Sequence, residues 1–244
     1  VFLCLPHAAS IGPVKRFQAA GVRVIDLSAD FRLVDPSIYE RWYKTTHTAP
    51  ELLTEFVYGL CEVNRAKIRN ATLIANPGCY PTGVILSLDP LRRAGLLDPL
   101  RPVVVNAASG VTGAGRTPRP DLLFAEVFAD YRPYAVGNVH RHLREIRASL
   151  PGVGVIFTPH LLPVPRGILE TIALPVGEGV GADEVRAAWS GAYGRSPVVR
   201  VRGAGEIPSL SGVVGTDRLD LAVVDNEGIP GTLTAMVALD NLGK

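Results

Sequence analysis

The sequence predicts an α/β protein in two parts, a βαβ half of doubly wound character followed by an α+β half, and three observations carry that prediction. Over residues 1–75, short apolar runs alternate with helical stretches, the rhythm of parallel strands joined by crossover helices. Over residues 102–239 strand-like runs predominate, and the last two flank Asp225-Asn226-Glu227-Gly228, a composition suited to a hairpin turn. Between the halves, Asn76-Pro77-Gly78-Cys79-Tyr80-Pro81-Thr82 joins the end of a strand to the start of a helix, which places a domain boundary at Cys79.

The elements follow in order. Residues 1–5 form an apolar strand, Pro6-His7-Ala8-Ala9-Ser10 turns the chain, and Ser10 caps a helix to about residue 20, where Gly21 ends it. Residues 22–26 form the next strand, and a polar and aromatic connection containing Pro36 and Pro50 leads to Tyr58. A short helix over 63–69 and a strand over 71–75 close the first half. Gly78 permits a tight turn, and Pro81 suits a first helical turn because its missing N–H costs nothing there. That helix is expected to reach about residue 97, adjusted at Pro90. A β-branched strand over 102–108 then runs into a glycine-rich loop over 109–116. Further strands are expected at 154–158, 171–174 and 198–202, with Asp183 capping a helix to about residue 193, and 219–224 with 232–239 form the closing hairpin.

With 244 residues and 47% apolar content the chain can bury a sizeable core. The net charge of +2, with basic residues spread along the sequence, excludes the electrostatic footprint of a nucleic-acid binder. No apolar run reaches the roughly eighteen residues of a membrane span, and the first residues lack a signal-peptide pattern. Three cysteines without paired spacing argue against a disulfide framework and for a reducing compartment, the cytoplasm. A first strand buried on both faces needs neighbours, so the sequence reads as an internal fragment of a longer sheet.

Cys79 carries the chemistry. At a helix N-terminus, unpaired N–H groups and the positive end of the dipole favour thiolate over thiol. Cys4, inside an apolar run, and Cys61, after Tyr58-Gly59-Leu60, are assigned to packing. A thiolate enzyme needs an acid or base, and His140 and His142 supply imidazoles that fall on one side if their segment is extended, with Arg141 facing away. Ser109-Gly110-Val111-Thr112-Gly113-Ala114-Gly115-Arg116 offers backbone N–H groups, hydroxyls and a guanidinium suited to phosphate or another anion. Arg166, between prolines and Gly167, and Arg32 are further anion ligands in the same role. Candidate substrate contacts are therefore Arg32, Thr112, Arg116, Arg141 and Arg166. No metal site is expected, because Asp26, Asp30, Glu126 and the five histidines lack ligand spacing.

With these residues laid out, the chain resembles the N-acetyl-gamma-glutamyl-phosphate reductase family over nearly its whole length. The likeness is carried by Leu5-Pro6-His7, residues 26–33 (DLSADFRL), 58–65 (YGLCEVNR), 76–82 (NPGCYPT), 109–116 (SGVTGAGR), His140-Arg141-His142, 163–169 (PVPRGIL) and Asp240-Asn241-Leu242. The resemblance implies a truncated Rossmann-type nucleotide-binding domain over 1–78, lacking its first strands and phosphate loop, and an α+β catalytic and oligomerisation domain over 79–238. Residues 239–244 would begin a helix returning to the nucleotide domain. It also implies NADP as cofactor, with Asn241 beside the nicotinamide and Ser109, Gly110 and Gly113 close to it, and a homo-oligomer, dimer or tetramer. Cys79 becomes the nucleophile, and either His140 or His142 the acid/base while the other binds substrate. The implied reaction reduces a small-molecule acyl phosphate, N-acetyl-gamma-glutamyl phosphate, to the semialdehyde through a cysteine thioester, in arginine biosynthesis. The rivals are reduction of a phosphorylated aminoadipyl group in lysine biosynthesis and a Cys-His acyltransferase or hydrolase without redox chemistry. Two departures from the family pattern are Ala8, where glycine is usual, and Leu143-Arg144, where threonine and proline are common.

Overall fold

The computed structural model describes residues 1–115 and 117–244, and the chain divides into two units, Val1–Gly78 and Cys79–Lys244.

In the first unit four short strands, β1 (Phe2–Leu3), β2 (Val24–Asp26), β3 (Val57–Tyr58) and β4 (Leu73–Ala75), pair in parallel in the order β1-β2-β4-β3. Helices α1 (Ile11–Ala19), α2 (Pro36–Tyr43) and α3 (Cys61–Asn70) connect them. The core gathers Leu3, Ile11, Val14, Val24 and Leu73 with Phe31 stacked on Phe56 at 4.1 Å. The expected first strand stops at Leu3, and Cys4 and Cys61 are both exposed, so packing is not their role.

Ser10 precedes α1 without capping it, because its hydroxyl is drawn into a buried knot. Ser10 Oγ lies 2.7 Å from Asp30 Oδ2, 2.7 Å from Ser28 Oγ and 3.2 Å from Asp26 Oδ2. Asp30 also accepts from Tyr39 Oη at 2.8 Å and from Ala8 N at 2.8 Å. That last bond meets Ala8 at φ 67°, the left-handed region where glycine is at ease. Helix α2 lies in the stretch expected as connection: Asp35 caps it by accepting from Ser37 N at 2.9 Å, Pro36 is its first residue, and left-handed Lys44 closes it.

The second unit is built on a seven-stranded mixed sheet in the order β6-β7-β5-β8-β11-β10-β9. Its strands are β5 (Val103–Gly110), β6 (Arg132–Pro133), β7 (Val155–Leu162), β8 (Ile168–Pro175), β9 (Val199–Val201), β10 (Leu219–Asp225) and β11 (Thr232–Leu239). Its helices are α4 (Cys79–Arg93), α5 (Phe124–Val127), α6 (Leu143–Ser149) and α7 (Ala182–Tyr193). The hairpin β10–β11 is antiparallel, as expected, and α4 packs on β8 and β11 with α6 and α7 beside it.

Every residue of α4 from Tyr80 to Leu91 is buried. Pro90 has no N–H for the Leu86 carbonyl, and Tyr193 Oη donates to that carbonyl at 2.8 Å instead, while Trp189 Nε1 donates to Ser87 O at 2.8 Å. The helix ends at Arg93, short of residue 97, as Gly95 turns left-handed at φ 67°. For α7 the cap is Gly181, whose N–H donates to Glu184 Oε2 at 2.9 Å, and Asp183 sits in the first turn instead. The outer face of the sheet carries exposed Asn106, Ile156, Thr171 and Ala173. After β11, Lys244 N donates to Asp240 O at 3.0 Å, a single helical turn. Among the described residues no helix is long and apolar enough to cross a membrane.

Candidate active site

Cys79 is the first residue of α4 and is half-buried. Beside it stands an aromatic cluster. The Tyr80 ring meets His140 edge-on at 5.6 Å and His142 at 5.9 Å, and the two imidazoles are 4.8 Å apart. Their segment is a turn into α6, the alternative to the extended run that would have set both rings on one side, and the turn itself brings the rings together: His142 N donates to His140 Nδ1 at 3.2 Å. With Nδ1 accepting, the proton of neutral His140 sits on Nε2. Burial, helped by the Arg141 charge, pushes the His140 pKa down to about 4, so the ring is neutral near pH 7.

Tyr134 enters from a segment 54 residues away and was not singled out in the sequence. Its hydroxyl lies 3.0 Å from that of Tyr80. Burial raises the pKa of both phenols, and a charge on Cys79 raises them further. Both therefore stay protonated donors at neutral pH.

A second cluster in the same unit gathers residues scattered over 133 positions of sequence, from Ser109 to Asn241 and beyond to the chain's last turn. Gly110 N donates to Gly167 O at 2.9 Å, Val111 N to Val164 O at 3.0 Å and Thr112 N to Pro165 O at 3.2 Å. These three amides of the glycine loop are thus spent on the 163–167 segment, contrary to the expectation that they stand open to an anion. Gly110 is needed for that contact, since a Cβ there would lie 2.8 Å from Arg166 N and from Val164 O. Thr112 Oγ1 donates to Pro165 O at 2.7 Å and accepts from Asn241 Nδ2 at 3.0 Å, while Asn241 Oδ1 accepts from Gly167 N at 2.7 Å. The Asn241 amide is locked in one orientation. A Cβ on Gly113 would fall 2.9 Å from Ser109 Oγ, and that hydroxyl donates to Gly110 O at 3.1 Å.

Arg166 is committed to Asp240, donating to Oδ1 from Nε at 3.2 Å and from Nη2 at 3.0 Å. The fully buried Asp240 carboxylate also accepts from Gly215 N at 2.6 Å and Leu242 N at 2.8 Å, and these bonds outweigh its burial and lower its pKa. Asp240 is a second residue without a stated role in the sequence reading. Exposed Arg141 sits near enough to bias both His140 and Tyr134. Arg32 belongs to the first unit, where Nη2 donates to Leu27 O at 2.9 Å. Arg116 lies outside the described residues. Among the described residues no group of three or more His, Cys, Asp or Glu side chains is set to hold a metal ion.

Two family models match the chain. The description "Semialdehyde dehydrogenase, NAD binding domain" covers residues 1–71, and "Semialdehyde dehydrogenase, dimerisation domain" covers residues 79–241. Curated relatives called N-acetyl-gamma-glutamyl-phosphate reductase include those of Pelobacter propionicus, 44% identical over 250 residues, Citrifermentans bemidjiense, 45%, and Pelotomaculum thermopropionicum, 44%. Each alignment spans 100% of this chain and 71% of the relative. Among solved structures, aspartate semialdehyde dehydrogenase II of Vibrio cholerae superposes with a TM-score of 0.74 at 19% identity, over 100% of this chain and 74% of that one. A probable aspartate-semialdehyde dehydrogenase of Pseudomonas aeruginosa gives 0.69 at 21% identity, over 99% and 74%.

Proposed function

The chain belongs to the semialdehyde dehydrogenase family, and from that premise we propose that it reduces N-acetyl-gamma-glutamyl phosphate to N-acetylglutamate semialdehyde with NADPH, the reductive step of arginine biosynthesis. The observation that carries the mechanism is Cys79 at the start of α4, followed directly by Tyr80, on which two imidazoles and a second phenol gather.

Thiolate at Cys79 attacks the acyl carbon, and the C–O bond to phosphate breaks to leave a thioester on Cys79. When bound, the dinucleotide supplies a hydride to the thioester carbon. The cluster around Asn241 fits the nicotinamide end: its amide cannot flip, and the missing side chain at Gly113 leaves a small recess beside Ser109 and Asn241. The tetrahedral oxyanion formed at each stage is met by N–H groups at the start of α4 and by the Nε2–H of neutral His140. Collapse of that oxyanion re-forms the carbonyl as the C–S bond breaks, releasing aldehyde and returning Cys79 as thiolate with no net proton taken up, while the paired imidazoles of His140 and His142 orient the reacting oxygen. Exposed Arg141 and the Asp240-oriented Arg166, with Thr112 in the same unit, serve the anionic substrate. The aminoadipyl and hydrolase alternatives have no comparable support, since the relatives at 42–45% identity share one name.

A second copy of the chain is the proposed cover for the outer face of the seven-stranded sheet, whose central residues Asn106, Thr171 and Ala173 are exposed. Leu123, Phe124, Phe128 and Tyr131 widen the exposed apolar surface on the same unit. Three cysteines without paired spacing support residence in a reducing compartment, the cytoplasm.

Mixing the protein with the acyl phosphate in the absence of NADPH tests the covalent step. Mass spectrometry of the quenched protein is expected to find one N-acetylglutamyl group on the Cys79 peptide, and an unmodified Cys79 alongside released phosphate would contradict the thioester.

A further inference from the structure

One acid of the second unit has no part in this scheme. Glu170 lies in the middle of β8, opposite Ala107 on β5 and Val237 on β11, and is fully buried. Buried Asp220 is held by Arg200 and Arg202, and buried Asp240 by Arg166 and backbone amides. Glu170 has nothing comparable: neither carboxyl oxygen has a hydrogen-bond partner among the described residues. It points at α4. An ideal Cβ on Gly83 would lie 2.3 Å from Glu170 Oε2, 2.7 Å from Cδ and 2.8 Å from Oε1, so the carboxyl occupies the notch that this glycine leaves open. Gly83 is four residues after Cys79, about one helical turn, and the two share a helix face.

Among the described residues no neighbouring charge pairs with the acid. Strands β5 and β11 contain no ionisable side chain, and α4 offers Cys79 and Tyr80 at its start and Asp89, Arg92 and Arg93 beyond Gly83, with Asp89 held by both arginines. Burial alone acts on the carboxyl and raises its pKa well above the carboxylate range.

We propose that Glu170 is a positioning residue for the nucleophile: its uncharged carboxyl fills the Gly83 notch and sets how the turn carrying Cys79 is seated on the sheet. The proposal rests on the reading of Cys79 as nucleophile. Its consequence has two parts, one of size and one of charge. A side chain at Gly83 and the carboxyl cannot occupy the same space. A carboxylate cannot stay in the notch without water or a partner, so ionisation must unseat the helix turn.

The test is the rate at which iodoacetamide alkylates Cys79 in the full chain, read on the Cys79 peptide by mass spectrometry, with NADPH-linked turnover measured beside it. Gly83→Ala is expected to slow alkylation by about tenfold, and adding Glu170→Ala to recover most of that loss, the non-additivity of two groups in contact. Between about pH 6 and about pH 10, wild-type alkylation and turnover should rise and then fall reversibly, whereas Glu170→Gln should keep its alkaline activity. Additive effects of the two substitutions, or superimposable pH profiles for wild type and Glu170→Gln, would overturn the role of Glu170. If Gly83→Ala does not fold, the comparison with Glu170→Gln decides alone. Retained turnover in Cys79→Ser would instead remove the nucleophile, so the two failures are distinct.

Discussion

His140 shows how a single side chain ties fold to chemistry. Its pKa falls from the ordinary 6.5 to about 4, first through burial and then through the nearby Arg141 charge. Between those values an unfolded chain binds a proton that the folded one does not, so this group's contribution to stability is fully present above about pH 6.5 and is lost as pH falls toward 4. Urea melts across that window should therefore lose less stability on acidification for His140→Phe than for wild type, and identical slopes would contradict a neutral buried ring. Cys79, His140 and His142 were legible in the sequence because residue type and local context carry their chemistry. Tyr134 was not, since nothing within its own segment marks a tyrosine that meets Tyr80 across 54 residues. The glycine-rich stretch reads as a loop from Ser109, whereas β5 continues through Gly110 and a 3-10 turn covers Val111–Ala114, because the amides at 110–112 bond to a partner segment more than 50 positions away.

At the scale of the element, α4 is the centre of the second unit, and it tolerates Pro90 because Tyr193 on α7 takes the carbonyl that proline abandons. Tyr193→Phe leaves the Leu86 carbonyl buried without its donor and should cost about 1–3 kcal/mol in denaturant melts. A cost near zero would mean that the carbonyl finds another partner. The same element was readable from local signals, with Pro81 in the first turn and a strand ending four residues before Cys79. So was the β10–β11 hairpin, whose two runs are apolar and β-branched around an Asn- and Gly-containing turn. Strand β8 was read as 171–174 although it spans Ile168–Pro175, because Glu170 interrupts its apolar pattern. Two-residue β3 and β6 are strands only by virtue of their neighbours β4 and β7, so no period exists in the sequence to announce them. Helix α2 did carry a start signal, Asp35-Pro36, obscured by an aromatic stretch that reads as connection.

For the molecule as a whole, the one-sided sheet of the second unit is the feature with the widest consequence. Its inner face is sealed by α4, α6 and α7, and its outer face shows Ile156 at 45% exposure among small and β-branched neighbours. A lone charge at the centre of a buried interface is costly, so Thr171→Arg should weaken self-association by about 100-fold or more. Sedimentation equilibrium would read this as a fall in mass, and an unchanged mass would place the interface elsewhere. Covalent chemistry at Cys79 is the claim on which the rest depends. Its most direct test is phosphate-dependent NADPH formation from N-acetylglutamate semialdehyde, the reverse reaction, followed by nicotinamide absorbance in wild type and Cys79→Ser. Activity in the wild type that requires phosphate and falls by about 10⁴-fold or more in Cys79→Ser is the predicted result; a Cys79→Ser protein that still forms NADPH with phosphate would contradict it.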